Sequence, residues 1–247
     1  MRPILFYWRG RPIYSYPAML YVGLVFGIVA GNAAAHAEDA NAFAVFVATF
    51  ALLVPALFGA RLLFVATHWE QFRADPLRIF RRDEGGAAQY GALFIAIPLS
   101  IPVLRALGLG LGTFWDAAAF TILVGMAFTR IGCFLNGCCA GRPTRWGIRL
   151  PNRSGTWERR VPTQLFEAAL ALLLLVLAVA AWPTRPFSGA VFLLVAGGYG
   201  VGRLVLETLR ERPPGRGVFS VHHAISLIMV ITALTVLGQR WGLHGQP

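Results

Sequence analysis

A segment near the middle of the chain combines the residue types best suited to chemistry. Residues 129–142 hold two arginines, all three cysteines of the chain and three glycines. The segment closes an apolar run, so Arg130 is expected at membrane depth, where a charged side chain is costly and usually functional. Glycines allow a backbone to approach a ligand closely. The segment therefore predicts a binding site at the end of a membrane helix.

Two more arginines occupy comparable positions in the chain. Arg61 and Arg203 also lie near the ends of apolar segments, on the same predicted side as Arg130. Guanidinium groups bind phosphate bidentately and can stabilise charge on a leaving phosphate. Together they predict a clamp for the head of a phosphate-bearing lipid. The alternative is that each arginine simply reaches the membrane interface.

Acidic residues accompany these arginines at helical spacing. Glu207 follows Arg203 by four positions and precedes Arg210 by three, so the three side chains share a helix face. We expect Glu207 to orient Arg203 rather than to act as an acid or base. Glu167, three residues after Gln164, is expected to pair in the same way with an arginine of the loop 136–161.

The cysteines Cys133, Cys138 and Cys139 allow three interpretations. They are too few and too close together for a disulfide framework, so free thiols are expected. They could be inert packing residues, or reactive thiols activated by nearby arginine. As zinc ligands they would need a fourth partner, and their spacing matches no usual zinc pattern. We therefore expect neither a metal nor a cofactor.

A histidine pair begins the last apolar segment. His222 and His223 lie on the predicted side of the arginines and could supply a general base. A histidine at a membrane interface is more often only hydrogen-bonded, and no spacing relates this pair to the arginines.

Composition indicates the elements that must position these groups. With 57% hydrophobic and 13% charged residues, the chain is predicted to be an all-α, polytopic membrane bundle forming one domain over 1–247. No cleavable signal pattern precedes the first apolar run. Glycines at 23, 27 and 31 predict a close-packing helix face. Seven segments approach the ~20 residues that a bilayer requires: 17–35, 43–66, 89–111 (kinked at Pro98 and Pro102), 113–135, 163–182, 186–208 and 218–238.

The polar segments add a cap and a charge asymmetry. Residues 136–161, between the fourth and fifth segments, are predicted to form a small cap or head over the site. The net charge is +11, supplied by arginine without lysine, and indicates contact with anionic lipid rather than nucleic acid. Most loop arginines lie on the side of the N-terminus and of the central segment, which predicts that this side is cytoplasmic.

These motifs, taken in order, resemble the prolipoprotein diacylglyceryl transferases. The likeness covers most of the chain, and the segment 130–137 with Gly141 and Arg142 is similar to the family signature G-R-x-G-N-F-x-N-G…G-R. Four other stretches match family segments in the same order: 59–61 with 71–77; 84–86 with 90–92; 162–167; and 198–210.

The resemblance implies a fold, an activity and a set of site residues. The family is an inner-membrane bundle of seven helices with a small head, its active side facing the periplasm, opposite to the side that the arginine bias predicts. Its members move the diacylglyceryl group of phosphatidylglycerol to a cysteine of a prolipoprotein. Arg130 and Arg203 match its essential arginines. The substrate-binding residues expected beside them are Arg61, Gly132, Asn136, Gly137, Gly141, Gln164 and Glu207.

The chain departs from the family pattern at a few of its functional positions. Tyr90 stands where the family has an important histidine, Cys133 and Cys138 replace an asparagine and a glutamate, and Val161 replaces another histidine. Tyr90 is the expected catalytic replacement. Two alternatives stay open: a related lipid transferase with a different acceptor, in which a thiol could carry the lipid transiently, and a non-catalytic phospholipid-binding membrane protein.

Overall fold

The structure, a computed structural model, describes residues 1–73, 75, 79, 89–152, 155–211 and 221–244. The stretch 84–86 and most of residues 74–77, which are similar to family segments, lie outside these residues. The described part holds seven long helices and one short one: α1 Ser15–His36, α2 Ala42–Thr67, α3 Trp69–Phe72 (the short one), α4 Gln89–Ala106, α5 Leu111–Asn136, α6 Thr163–Ala181, α7 Ala190–Thr208 and α8 Val221–His244.

The seven predicted apolar segments are confirmed as helices to within a few residues. By length and composition, six of the long helices of the described part could cross a membrane. The third segment gives the shorter α4, which ends at Ala106 rather than near 111 because Gly108 adopts a left-handed conformation, with φ +65°. Helix α4 runs continuously through Pro98 and Pro102. The protein is a multi-pass, all-α membrane protein, as predicted.

Two β-hairpins accompany the helices. β1 (Ile4–Trp8) pairs antiparallel with β2 (Arg11–Tyr14), and β3 (Pro143–Pro151) pairs antiparallel with β4 (Trp157–Arg160). The first hairpin was not predicted; its turn uses Arg9 and Gly10, both at positive φ, as tight hairpin turns require. The second hairpin forms most of the predicted cap between α5 and α6.

Many buried positions of the helices hold small residues, and many large apolar side chains are exposed. Fully buried positions include small residues such as Ala48, Ala117 and Ala171, whereas Val176 and Leu234 remain about two-thirds exposed. Small residues between helices allow close approach, and large apolar residues outside suit a lipid environment.

The chain forms two compact units, residues 1–34 with 115–247, and residues 35–114. In the first unit, α1 packs against α5 through its glycines. A Cβ at Gly27 would lie 2.6 Å from the carbonyl oxygen of Thr121, and one at Gly23 would lie 2.9 Å from Cβ of Phe128. The predicted close-packing face of α1 is therefore confirmed.

Helix α7, which carries Arg203, is anchored at its start by a side chain of α5. Asp116 is buried and accepts hydrogen bonds from the backbone N–H groups of Gly189 (2.7 Å) and Phe192 (2.8 Å). These donors belong to the first turn of a helix, which has no intrahelical acceptor for them. Asp116 thus takes the place of a local N-cap residue and fixes the start of α7.

The second unit is built on a close crossing of α2 and α4. A Cβ at Gly59 would lie 2.5 Å from Cγ1 of Ile95, so alanine would not fit there without a shift. Pro55 lies inside α2, and the helix continues through it. This unit carries Arg61 and Tyr90.

Candidate functional site

A single buried carboxylate organises the candidate site. Glu167 lies one turn into α6 and is fully buried. Its Oε1 accepts hydrogen bonds from Arg203 (2.7 Å) and Arg210 (2.6 Å), and its Oε2 forms an ion pair with Nε of Arg130. The ends of α5 and α7 and the start of α6 therefore meet at Glu167.

A second carboxylate completes the cluster. Nη2 of Arg203 donates to Oε2 of Glu207 at 2.8 Å, one turn further along α7. Arg203 is 5% exposed and uses both terminal nitrogens, one on each glutamate. Three guanidinium groups face two carboxylates, so the cluster carries excess positive charge, and buried charge of this kind suits an anionic ligand.

Glu207 orients Arg203 as predicted, but the prediction for Glu167 was wrong. We expected Glu167 to pair with an arginine of the cap; in the described residues its partners are Arg130, Arg203 and Arg210. The buried cap arginine, Arg160, instead pairs with Glu158 (2.6 Å) and Glu211 (2.5 Å). The prediction from sequence spacing was wrong because the partners of Arg160 lie in its own hairpin and after the end of α7.

The first residues of α6 hold the loop that follows α5. Gln164 is fully buried and donates through Nε2 to the carbonyl oxygen of Cys138 at 2.5 Å. Thr163 donates through its hydroxyl to the carbonyl oxygen of Cys139 at 2.8 Å. The Oε1 atom of Gln164 is buried without a hydrogen-bond partner among the described residues. Gln164 therefore lies near the arginine cluster, and its acceptor atom Oε1 is not used by the described residues.

The expected glycines occupy tight positions. Gly132 packs on α1, where a Cβ would lie 2.8 Å from Cβ of Met19, and a Cβ at Gly141 would lie 2.5 Å from the carbonyl oxygen of Leu209. Gly137 adopts φ +81° directly after the exposed residue Asn136, the last of α5. These positions account for glycine by packing and turning; a role of these four residues in binding stays a prediction.

The three cysteines gather beside the cluster. Their Sγ atoms all lie within 4.8 Å of one another; Cys133 is buried, Cys138 half-buried and Cys139 exposed. The interpretation of Cys133 as a packing residue agrees with its burial, and the close approach of all three thiols was not expected from their spacing.

Electrostatics distinguish two groups outside the helical spans. Burial works to lower the pKa of Arg210, but the attraction of Glu167 outweighs it, so this pKa lies above its ordinary value. Hydrogen bonds from Cys133 and Cys138 lower the pKa of the Cys139 thiol, and Arg130 and Arg210 act in the same direction. The thiolate of Cys139 is thus favoured beside the arginines.

Two expected site residues lie in the other compact unit. Nε of Arg61 donates to the carbonyl oxygen of Ile79 at 3.1 Å, and its guanidinium lies 5.6 Å from the ring centroids of Phe64 and Phe72. Tyr90 is buried near the start of α4. Their roles in catalysis and binding stay predictions.

The histidine pair begins α8, as the sequence indicates. His223 is buried and His222 half-buried, and the carbonyl oxygen of His222 accepts a hydrogen bond from the hydroxyl of Ser226 at 2.7 Å. A role of either ring as a base stays a prediction.

Sequence reasoning did not place three residues in the site. Glu167 and Arg210 are members of the cluster, and Tyr199 is buried in α7 one turn before Arg203. The available signal was helical spacing: Tyr199, Arg203, Glu207 and Arg210 follow one another at intervals of three or four residues, which places them on one face of α7 and its continuation.

Fold and site together define a class: a multi-pass membrane protein with a buried, net-positive arginine cluster at the ends of its helices. Comparison with known proteins is more specific. A family model described as prolipoprotein diacylglyceryl transferase matches residues 3–238. The chain therefore belongs to the prolipoprotein diacylglyceryl transferase family.

Individual relatives are named as transferases of this family. A phosphatidylglycerol--prolipoprotein diacylglyceryl transferase of Clostridium tetani is 28% identical, covering 96% of each chain. One of Geobacter sulfurreducens is 32% identical over 76% of this chain and 74% of its own. One of Shouchella clausii is 35% identical over 66% of this chain and 64% of its own.

Proposed function

We propose that this chain is a transferase that moves the diacylglyceryl group of phosphatidylglycerol to a cysteine thiol of a prolipoprotein, in the bacterial inner membrane. Family membership supports the reaction class. The observation that carries the proposal is the buried cluster in which Arg130, Arg203 and Arg210 share Glu167. Such a cluster offers fixed guanidinium donors to a phosphate at membrane depth.

The arginines hold the phosphate of the lipid in this proposal. Arg130 and Arg203 bind its oxygens, while Glu167 and Glu207 fix the planes of the guanidinium groups. Gly132, Asn136, Gly137, Gly141 and Gln164, which belong to the same compact unit as these arginines, are proposed to contact the lipid head.

The transfer exchanges one bond for another. The thiolate sulfur of the prolipoprotein attacks the glyceryl carbon that is bonded to the phosphate oxygen. A carbon–sulfur bond forms as the carbon–oxygen bond breaks, and the electron pair leaves on the phosphate as glycerol phosphate. The arginines stabilise this developing charge. The thiol proton passes to a base, for which Tyr90, His222 and His223 are the candidates.

Activity of arginine variants tests the proposal. Purified protein in vesicles would receive acyl-labelled phosphatidylglycerol and a peptide with a lipoprotein-type cysteine. Arg130→Ala and Arg203→Lys should each reduce transfer by about 10²-fold or more, since lysine cannot bridge two carboxylates and a phosphate as a planar fork does. Arg185→Lys is the matched control; Arg185 precedes α7, and its Nε lies 3.9 Å from Oδ2 of Asp116, outside the cluster. Full activity of Arg130→Ala would refute the clamp.

A second candidate is a phospholipid-binding protein without turnover, which the replacement of the family histidine by Tyr90 favours. It predicts that phosphatidylglycerol co-purifies with the chain and is not converted. Complementation of a strain depleted of its own transferase separates the two: growth supports the enzyme, and its absence together with bound lipid supports the binding protein. A transferase with a different acceptor would release glycerol phosphate without labelling the peptide.

A further inference from the structure

The three-thiol cluster at the end of α5 is not used by the transfer reaction. Cys133, Cys138 and Cys139 are all the cysteines of the chain, and their Sγ atoms lie within 4.8 Å of one another. Sulfur atoms from a helix end and from the following loop meet at one point only if the backbone directs them there.

The end of α5 explains how the first two thiols meet. The N–H of Gly137 donates to the carbonyl oxygen of Phe134 (3.2 Å), and that of Cys138 to Cys133 (3.1 Å). With Gly137 at φ +81°, this is a Schellman helix end, in which the third residue before the cap and the second after it come into contact. Those two positions are Cys133 and Cys138.

The left-handed backbone conformation of Cys139 places the third thiol beside the other two. Cys139 itself adopts φ +65°, a conformation that is unfavourable for a residue with a side chain. The side chains of Thr163 and Gln164 hold the carbonyl oxygens of Cys139 and Cys138 in place. The fold therefore maintains a turn that places a third sulfur beside the other two.

The spacing of the sulfurs suits a thiophilic metal ion. A zinc–thiolate bond of about 2.3 Å implies sulfurs about 3.8 Å apart in a tetrahedral site. Sulfurs within 4.8 Å reach that separation by a contraction of about 1 Å at most, which small side-chain rotations can provide. A disulfide would need only two of the three thiols.

Charge in the surroundings favours the same conclusion. Three thiolates around a divalent ion carry one net negative charge, which suits the neighbouring cluster of three guanidinium groups and two carboxylates. Thiolate ligands select zinc or copper(I) over magnesium or calcium.

We propose that Cys133, Cys138 and Cys139 form a binding site for a zinc ion, with water at the fourth position on the exposed side of Cys139. Binding replaces the remaining thiol protons with the metal and releases them to solvent. The site stands beside the arginine cluster but does not depend on transfer activity.

Cadmium is the probe that tests this site directly. The full chain is purified in detergent, reduced, freed of reductant without oxygen, and titrated with cadmium while the thiolate-to-cadmium charge-transfer absorption is recorded. Because the chain has no other cysteine, this absorption can report only these three thiols. One equivalent should bind, with release of protons, and zinc in a chelator-buffered competition should displace it.

Variants establish which ligands take part. Cys133→Ser and Cys139→Ser should each weaken cadmium binding by at least tenfold, and replacement of all three cysteines should abolish the absorption. Cys139 is exposed, so Cys139→Ser keeps the test valid if Cys133→Ser fails to fold, as judged by gel filtration. Three titratable thiols without one-equivalent binding would overturn the proposal. A single titratable thiol after oxygen-free purification would also overturn it, by indicating a disulfide.

Discussion

At the scale of single residues, Glu167 has the largest structural role in the site. It is fully buried and neutralises part of the charge on Arg130, Arg203 and Arg210 at once. Buried charges are tolerated only when they are paired and hydrogen-bonded. Glu167 is therefore a positioning residue, which holds three guanidinium groups in an arrangement that they would otherwise oppose by mutual repulsion.

Glu167→Gln should destabilise the protein strongly. The substitution keeps the size of the side chain but leaves three arginines, of which Arg203 is buried and the other two half-buried, facing one carboxylate. Loss of one partner from a buried ion pair typically costs about 3–5 kcal/mol. Thermal unfolding in detergent at neutral pH measures the effect. Glu70→Gln is the control: Glu70 pairs with Arg73 at 2.8 Å, but both side chains are more than half exposed. That pair contributes less than about 1 kcal/mol.

An added anion should partly reverse the loss in Glu167→Gln. Inorganic phosphate or phosphatidylglycerol would supply the missing negative charge, so either should raise the unfolding temperature of Glu167→Gln more than that of the unchanged protein. Equal stability of Glu167→Gln and Glu70→Gln would contradict the role of Glu167 as the centre of the cluster.

At the scale of elements, the first compact unit depends on how closely α1 approaches α5. Gly23, Gly27 and Gly31 bring the two helices together, and α5 in turn carries Arg130 and anchors the start of α7 through Asp116. A change in the α1–α5 contact would therefore move two of the elements that supply the arginine cluster.

Gly27→Ala should separate these helices and destabilise the protein. The added Cβ would lie 2.6 Å from the carbonyl oxygen of Thr121, which belongs to a helix backbone and cannot turn aside. Overpacking of this kind typically costs about 1–3 kcal/mol. Gly238→Ala is the matched control, since Gly238 also lies in a membrane helix but has no atom within 4 Å of the added Cβ. An unfolding temperature of Gly27→Ala equal to that of Gly238→Ala would show that the helices can move apart freely.

The elements that the sequence predicted well are those set by local pattern. Seven apolar runs gave seven helices, and spacings of four residues placed Glu207 on Arg203 and the glycines on one face of α1. The partners of Glu167 were not predictable in this way, because α5, α6 and α7 bring them together from distant parts of the chain. The hairpin of β1 and β2 was missed because its aromatic and arginine residues show no clear alternation.

At the scale of the whole molecule, the number of membrane crossings decides where the two ends of the chain lie. Six long helices of the described part meet the length and hydropathy expected of a span, and α4 is shorter, with an apolar part at Tyr90–Ala106. At 1.5 Å per residue, the 18 residues of α4 extend about 27 Å, close to the ~30 Å of a bilayer core. A small mismatch is accommodated by local thinning of the bilayer.

Orientation is the second property at this scale. The positive-inside rule counts Lys and Arg in short loops near the ends of membrane helices, and Asp and Glu contribute little to it. Arg160, which is 1% exposed, and Arg210 belong to the side with the arginine excess, yet both are engaged by carboxylates. Because carboxylates count for little in the rule, and Arg185 of the opposite side is also paired, with Asp116, this pairing leaves the arginine bias in place. The family orientation, with the arginine cluster toward the periplasm, is therefore a prediction from the family resemblance that runs against the bias.

Helix α4 is accordingly expected to cross the membrane, giving seven crossings and a cytoplasmic C-terminus. Paired reporters, one fluorescent only in the cytoplasm and one active only in the periplasm, would be fused after Arg73, after Leu109 and after Pro247. The fusions after Arg73 and Leu109 should report opposite compartments because only α4 separates the two positions among the described helices. The fusion after Pro247 should be fluorescent. Identical signals at Arg73 and Leu109 would mean that α4 enters the bilayer without crossing it, and a periplasmic signal after Pro247 would restore the orientation that the arginine bias indicates.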